Sequence, residues 1–243
     1  MHHRKIISII GLCLWALPSF GQRLPDHETL LRSWFVKQRT ALASVDTLFY
    51  DEMSTWKIDA PFGSPTLELQ SNVRETPFGQ RVWRRSISAR LNGQDVPAAR
   101  LDEVKNRWHT NTRNQIGEMV SQIRPRPGLL ERMSPVSSVT PETIDGVDAL
   151  RLEVVQNDRR MNLERLTFWF ARDSRQLLRT RAIVSGSEGA QSFVVTTDYM
   201  SVGQLDTPVS RQVEGNVRLK RRSRYYTVLI SQSQEFSNFR FDR

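Results

Sequence analysis

Apolar residues have a helical spacing in one early stretch of the chain and an alternating spacing through most of the remaining sequence. Pro25 and Asp26 are typical of a helix start. The apolar residues after them fall on one face of a helix, at Leu30, Leu31, Trp34, Phe35 and Leu42. This pattern predicts one amphipathic helix at the beginning of the folded domain.

Alternation of apolar and polar residues starts near Val45 and predicts three strands, each with one apolar face. Breakers at 60–63 and 77–79 separate the strands and favour antiparallel hairpins. The apolar faces consist of Leu48, Tyr50, Trp56 and Ile58 in the first strand, Leu67, Leu69 and Val73 in the second, and Trp83, Ile87, Ala89 and Leu91 in the third.

A second helical pattern interrupts the strands between Pro97 and Met133. Residues 109–114 are mostly poor helix formers, which favours a broken helix. The apolar positions at helical spacing are Leu101, Val104, Trp108, Ile116, Met119 and Ile123. We interpret residues 97–133 as a helical insertion.

Alternation returns after Val136 and continues to the C-terminus, where the last two strands are expected over 209–219 and 225–239. The other strand faces carry Leu150, Leu152 and Val154, then Leu166, Phe168 and Phe170, then Leu178, Ala182 and Val184, then Phe193, Val195 and Tyr199. The chain is therefore expected to hold about eight to eleven strands.

Residues 1–21 have the arrangement of a secretion signal, with a basic start, an apolar run from Ile6 to Leu17 and small residues before Gln22. The run is shorter than the roughly 20 residues that span a bilayer, so a permanent anchor is the weaker interpretation. Lipid attachment at Cys13 is a second alternative, disfavoured by the large Leu12 before it. We expect cleavage after Gly21 and a single mature domain over 22–243.

The mature chain would be free of cysteine and still basic. Its leader holds the only cysteine together with Arg4 and Lys5, so 33 of the 35 Lys and Arg residues remain against 26 Asp and Glu, a net charge of +7. Disulfide scaffolds and thiolate metal sites are excluded, and stability must come from a hydrophobic core. For an exported protein an anionic membrane surface or an acidic partner fits this charge, and nucleic acid does not. The basic cluster at 220–224 is also explained as a solvated turn.

No motif in the sequence indicates an enzyme. After signal removal His27 and His109 are the only histidines, and neither has a partner at metal-ligand spacing. The segment 186–189 lacks the spacing of a nucleophile elbow, and Asp51 and Glu52 fall on opposite faces of one strand. We expect a non-enzymatic protein without a metal or cofactor.

Three phrases of the later strands carry a resemblance to a known family. They are TIDGVDA (143–149) leading into LRLEV (150–154), LTFWFARD (166–173) and QLLR (176–179). With the order of elements, they resemble the LolA/LolB-like superfamily of periplasmic outer-membrane lipoprotein-sorting and lipid-carrier proteins. The resemblance implies an α+β fold, an antiparallel half-barrel whose concave apolar face is covered by the N-terminal helix and by a helical lid, here 97–133.

The same resemblance implies a periplasmic carrier or chaperone that holds acyl chains of a lipid or lipoprotein inside the half-barrel. A sensor that binds lipid or lipoprotein and signals to a membrane protein partner is the alternative. An inward basic residue holds the lid in this family; Arg85 is a candidate by parity, but an outward position near a bulge fits equally. The expected lining residues, which an ordinary dry core would also use, are Trp56, Leu69, Trp83, Ile87, Trp108, Met119, Leu152, Phe168, Phe170, Phe193 and Val195.

Overall fold

The computed structural model describes residues 25–77, 82–106, 133–135, 139–156, 163–185, 190–221 and 224–242. The predicted signal and its cleavage after Gly21 lie outside these residues, as do Trp108, Met119 and most of the predicted lid. The described part of the lid segment is a 3-10 turn at Ala98–Arg100 followed by helical residues 101–106.

The N-terminal helix, α1 (His27–Leu42), confirms the first prediction. Asp26 caps it, because its carboxylate accepts hydrogen bonds of 2.8 Å from the backbone N–H and from the hydroxyl of Thr29. The side chains that the helix buries are Leu30, Leu31, Trp34 and Gln38. They form one face, as the spacing predicts.

All strand pairings among the described residues are antiparallel, which confirms the predicted type of sheet. The described residues contain twelve strands, one more than the upper end of the predicted range, because short β4, β5 and β6 leave no alternating pattern. The strands are β1 (Thr47–Asp59), β2 (Thr66–Glu75), β3 (Val82–Leu91), β4 (Gln94–Asp95), β5 (Met133–Pro135), β6 (Thr140–Ile144), β7 (Val147–Gln156), β8 (Leu163–Ala171), β9 (Leu177–Ser185), β10 (Ala190–Val202), β11 (Leu205–Arg221) and β12 (Arg224–Asp242).

The strands form one sheet in the order β4-β3-β2-β1-β12-β11-β10-β9-β8-β7-β5, with β6 also paired to β7. The C-terminal strand β12 therefore lies between β1 and β11. This placement joins the early hairpins to the later run of strands, so the beginning and the end of the folded chain meet in the middle of the sheet.

We call the face of the sheet that packs against α1 the inner face, and the opposite one the outer face. Trp34 of α1 contacts Phe168 and Phe170, with ring centroids 6.2 and 5.9 Å apart. Seven of the predicted lining residues lie in this core: Trp56, Leu69, Leu152, Phe168, Phe170, Phe193 and Val195. These seven side chains are therefore part of the buried core on the inner face.

A β-bulge in β3 corrects the prediction for Trp83 and Ile87. Gln70 pairs with Ser88 while the next residue of β2, Ser71, pairs with Ser86, so Ile87 is an extra residue in the ladder. Because side chains alternate between faces, one extra residue moves every earlier side chain of β3 to the opposite face. Trp83 and Ile87 are 47% and 48% exposed, and the prediction that they share the apolar inner face is wrong.

Candidate functional site: a cavity beneath the N-terminal helix

A cavity of about 140 Å³ lies between α1 and the inner face and is partly open to solvent. Of the fifteen described residues that line it, ten are apolar or aromatic. They are Trp34, Phe35 and Leu42 of α1, Leu48 and Tyr50 of β1, Tyr199 of β10, Leu205 and Pro208 of β11, and Phe236 and Phe239 of β12. The polar lining residues are Gln38, Glu75, Asp206, Thr207 and Arg211.

The floor of the cavity is a small aromatic cluster separate from the main core. Tyr50 packs against Phe236 and Phe239, with ring centroids 5.7 and 5.6 Å apart, and Val73 completes the cluster. The Tyr50 hydroxyl donates a hydrogen bond of 2.8 Å to Glu75, which also lines the cavity. The apolar body of Tyr50 thus faces the cavity while its polar end is satisfied.

A belt of buried polar residues separates this aromatic cluster from the main core. Each of three adjacent strands reads apolar, polar, apolar along its inner face, as in β2, where Val73 is followed by Ser71 and then Leu69. The belt residues with a buried side chain are Glu52 and Ser54 of β1, Ser71 of β2, and Gln232 and Gln234 of β12.

Glu52 is the centre of the belt. One carboxylate oxygen accepts a hydrogen bond of 2.7 Å from Gln234, and the other accepts one of 3.0 Å from Arg84. Burial by itself lowers the pKa of Arg84, but the charge of Glu52, the Tyr50 hydroxyl, the hydrogen bond to Glu52 and the charge of Glu75 together outweigh it, so the pKa lies above its ordinary value. Arg84 is therefore a charged guanidinium on the inner face.

The inward basic residue of this strand is thus Arg84 and not Arg85. Arg85 pairs with Asn72 on the outer face and is exposed, whereas Arg84 pairs with Val73. The bulge at Ile87 makes this difference, since without it Arg85 would share the face of Ala89. Of the two positions considered for Arg85, the outward one is confirmed.

Asp206 holds α1 against the sheet beside the cavity. Its carboxylate accepts hydrogen bonds from the Trp34 indole at 2.8 Å, from the Gln38 amide at 3.1 Å and from the Leu177 backbone N–H at 3.1 Å. Ser201 donates a further hydrogen bond of 2.9 Å. In return, the backbone N–H of Asp206 donates to the Gln38 side chain at 3.1 Å. A buried carboxylate is stable here because donors surround it.

Arg211 brings a positive charge to the lining. Its guanidinium lies 5.5 Å from the centre of the Phe236 ring and donates a hydrogen bond of 3.3 Å to Thr197. Cation–π contact of this kind holds the side chain along the cavity wall.

None of the seven predicted residues in the core lines the cavity. Sequence reasoning placed Leu48 and Tyr50 on the correct face but did not select them, and it missed Phe236 and Phe239 altogether. Tyr50 and Phe236 are far apart in sequence and meet only because β12 pairs with β1. A ligand-binding role for the seven core residues stays a prediction.

In the described part of the chain no group of three or more His, Cys, Asp or Glu residues is arranged to hold a metal ion. Among the same residues, no helix has the length and apolar content needed to cross a bilayer.

Comparison with known proteins gives structural similarity only. No protein-family model matches the sequence, and no curated protein matches it. A DUF1329 family protein from Desulfovibrio piger is similar at 11% identity and a TM-score of 0.43, covering 87% of this chain and 92% of that one. A LolA superfamily protein from Nitrosomonas europaea is similar at 12% identity and a TM-score of 0.38, covering 87% and 93%.

A domain from Vibrio parahaemolyticus, described as an outer membrane lipoprotein-sorting protein, is similar at 10% identity and a TM-score of 0.40, covering 86% of this chain and 91% of that one. One of these three similar structures is described as a LolA superfamily protein, the superfamily that the strand phrases resemble.

Proposed function

We propose that the protein is a non-enzymatic carrier or chaperone that binds an acyl chain of a lipid or lipoprotein in the cavity beneath α1. The observation that carries this proposal is the lining of the cavity, where aromatic and aliphatic side chains from α1, β1, β11 and β12 face a common space. Concave apolar sites with a few polar groups are the usual form of sites for apolar ligands.

The size of the cavity limits what it accepts in this state. An apolar cavity of roughly 150 Å³ holds one benzene molecule, so a space of about 140 Å³ admits a short segment of an acyl chain. A longer acyl chain needs more room than this state offers, and a displacement of α1 away from the sheet would supply it.

We further propose that the carrier works in the periplasm, after the signal 1–21 has been removed at Gly21. An acyl chain needs shielding from water where it crosses an aqueous compartment, because about 0.8 kcal/mol favours the burial of each CH₂ group. The partners are then the donor and acceptor of the acyl chain, an anionic membrane surface or a membrane protein. N-terminal sequencing of the protein from the periplasmic fraction should begin at Gln22.

A matched pair of variants on α1 tests the cavity. Leu42 lines it, whereas Val36 on the same helix is 56% exposed and does not. In Leu42→Arg the new side chain occupies the cavity, and its positive charge is favourable at the C-terminal end of the helix. We expect affinity for a fluorescent fatty-acid probe to fall about tenfold or more in Leu42→Arg and to stay unchanged in Val36→Arg.

Two results would contradict the proposal. One is a delipidated protein that takes up no probe and that, when purified from its own envelope, carries no lipid by native mass spectrometry. The other is equal probe binding in the wild type and in a folded Leu42→Arg variant, which would place the apolar ligand outside this cavity.

A further inference from the structure

The outer face carries a row of alternating arginine and aromatic side chains across four adjacent strands. In register, Arg240 of β12 pairs with Phe49 of β1, Phe49 with Arg74 of β2, and Arg74 with Trp83 of β3. The Arg74 guanidinium carbon lies 5.8 Å from the centre of the Phe49 ring and 5.2 Å from that of Trp83. Arg74 is thus held between two aromatic rings.

Arg85 lies two residues after Trp83 on the same face of β3, in the neighbouring row of side chains, where it pairs with Asn72. We call Phe49, Arg74, Trp83, Arg85 and Arg240 the arginine–aromatic patch. Its three arginines are exposed, and within the described part of the chain neither Arg74 nor Arg85 forms an ion pair with a carboxylate. The patch presents several guanidinium groups to solvent around an indole.

The acidic group nearest in register to the patch is already engaged. Asp51 is the carboxylate in these two rows, and it accepts hydrogen bonds from the amides of Asn72 at 2.5 Å and Asn238 at 2.7 Å. The three arginines of the patch therefore have one carboxylate in these rows, and that carboxylate already accepts hydrogen bonds from two amides. Glu235 and Asp242 lie farther along β12. The positive charge of the patch favours binding to an anionic partner.

The residue types narrow the class of partner. Guanidinium groups bind phosphate oxygens in a bidentate manner. Tryptophan prefers the boundary between water and lipid, where its ring is buried and its N–H stays hydrated. Ile87 adds an exposed apolar side chain at the bulge farther along β3. The surface of a phospholipid bilayer has phosphate groups above an apolar layer, so it matches both the guanidinium groups and the tryptophan.

We propose that the arginine–aromatic patch docks the protein on the surface of an anionic phospholipid bilayer. The three arginines bind lipid phosphates, and Trp83 enters the headgroup region. The cavity lies on the inner face and the patch on the outer face, so the docked protein keeps its cavity away from the contact. This proposal does not depend on the acyl-chain carrier function.

Cosedimentation of the protein with vesicles tests the docking surface. We expect binding to vesicles of equal parts phosphatidylglycerol and phosphatidylcholine, weak binding to phosphatidylcholine alone, and release at high salt, since salt screens exposed charges. Each basic residue near an anionic surface contributes about 1 kcal/mol. Reversal of one charge in Arg85→Glu should therefore weaken binding by about tenfold or more.

Arg181→Glu is the matched control. Arg181 is exposed on the outer face of β9, paired with Thr167 and Thr196 and remote from the patch. It receives the same change in net charge, and we expect only a slight loss of binding. Trp83→Ala, which leaves the charge unchanged, should also weaken binding by severalfold. Circular dichroism and urea midpoints establish that each variant is folded.

Three outcomes would overturn the proposal. Absence of vesicle binding at low salt would assign the patch to a partner other than a bilayer. Equal losses of vesicle binding in Arg85→Glu and Arg181→Glu would mean that the net charge of the protein, and not the patch, determines binding. Loss of binding in Lys220→Glu with Arg222→Glu, together with full binding in Arg85→Glu, would move the membrane contact to the basic cluster at 220–224.

Discussion

Trp34 of α1 donates its indole hydrogen bond to Asp206, a residue near the start of β11 whose side chain is fully buried. The same carboxylate oxygen accepts hydrogen bonds from Gln38 and from the backbone of Leu177. One carboxylate therefore joins a helix to two strands that lie on either side of β10 in the sheet. Replacement of Asp206 should test how far this junction holds α1 in place.

Asp206→Ala should lower the free energy of unfolding by about 2–4 kcal/mol, because several buried donors lose their acceptor at about 1–3 kcal/mol each. Urea denaturation monitored by tryptophan fluorescence measures the change. Asp95→Ala is the control, since the Asp95 side chain is 91% exposed and its loss should change stability by less than about 0.5 kcal/mol. A similar, small effect at both positions would show that Asp206 does not hold the helix.

The ion pair between Glu52 and Arg84 should be strongly coupled. Glu52→Gln leaves a charged guanidinium on the inner face, and Arg84→Met leaves a buried carboxylate, so each single variant should lose about 2 kcal/mol. The double variant should lose clearly less than the sum of the two, because no unpaired charge remains. Losses that add would mean that the two side chains do not act as a pair.

Gly215 is required by the close approach of Phe193. A Cβ atom at position 215 would lie 2.3 Å from the Phe193 ring, which is almost fully buried. Gly215→Ala should therefore lower the free energy of unfolding by about 1–3 kcal/mol through overpacking. Adding Phe193→Leu should recover part of that loss. A neutral Gly215→Ala would contradict the close approach of β10 and β11 at this point.

Asp51 should contribute a small pH dependence of stability. Hydrogen bonds from Asn238 and then Asn72 hold the pKa of its carboxyl below the ordinary value of 3.8. Because the folded protein binds the proton less readily than the unfolded chain, the stabilisation is present above pH 3.8 and is lost as the pH falls through the folded pKa. Asp51 is largely solvated, so the contribution is below about 1 kcal/mol.

Urea titrations of the wild type and of Asp51→Asn between neutral and acidic pH measure this contribution. The advantage of the wild type over the variant should shrink as the solution becomes acidic. A difference between the two proteins that is the same at every pH would remove Asp51 as the cause.

Local patterns were sufficient to predict α1 and the long strands. Asp26 and the spacing of Leu30 and Trp34 identified α1, and alternation identified the long strands and inner-face residues such as Tyr50 and Leu152. In β3 the bulge at Ile87 made the predicted inner face wrong. These features depend on residues that are neighbours in sequence, where periodicity results directly from backbone geometry.

The candidate site depends on contacts between distant segments of the chain, which the periodicity of the sequence does not reveal. The cavity requires Tyr50 and Phe236 to meet, which results from the pairing of β12 with β1. The sequence also favoured apolar residues such as Phe168 as lining, whereas the structure packs Phe168 against Trp34 of α1 in the main core. A void depends on how side chains from distant segments fit together, and no local pattern reports it.

The bulge at Ile87 determines which side chains of β3 lie on each of the two faces of the sheet. If Ile87 were deleted, residues 82–86 would exchange faces. Trp83 and Arg85 would then turn toward the core, while Arg84 would turn to solvent and leave Glu52. The single residue Ile87 therefore maintains both the charge pair beside the cavity floor and the aromatic side chain on the outer face. Deletion of Ile87 would therefore change both faces of the sheet at once, whereas a substitution can change one face alone.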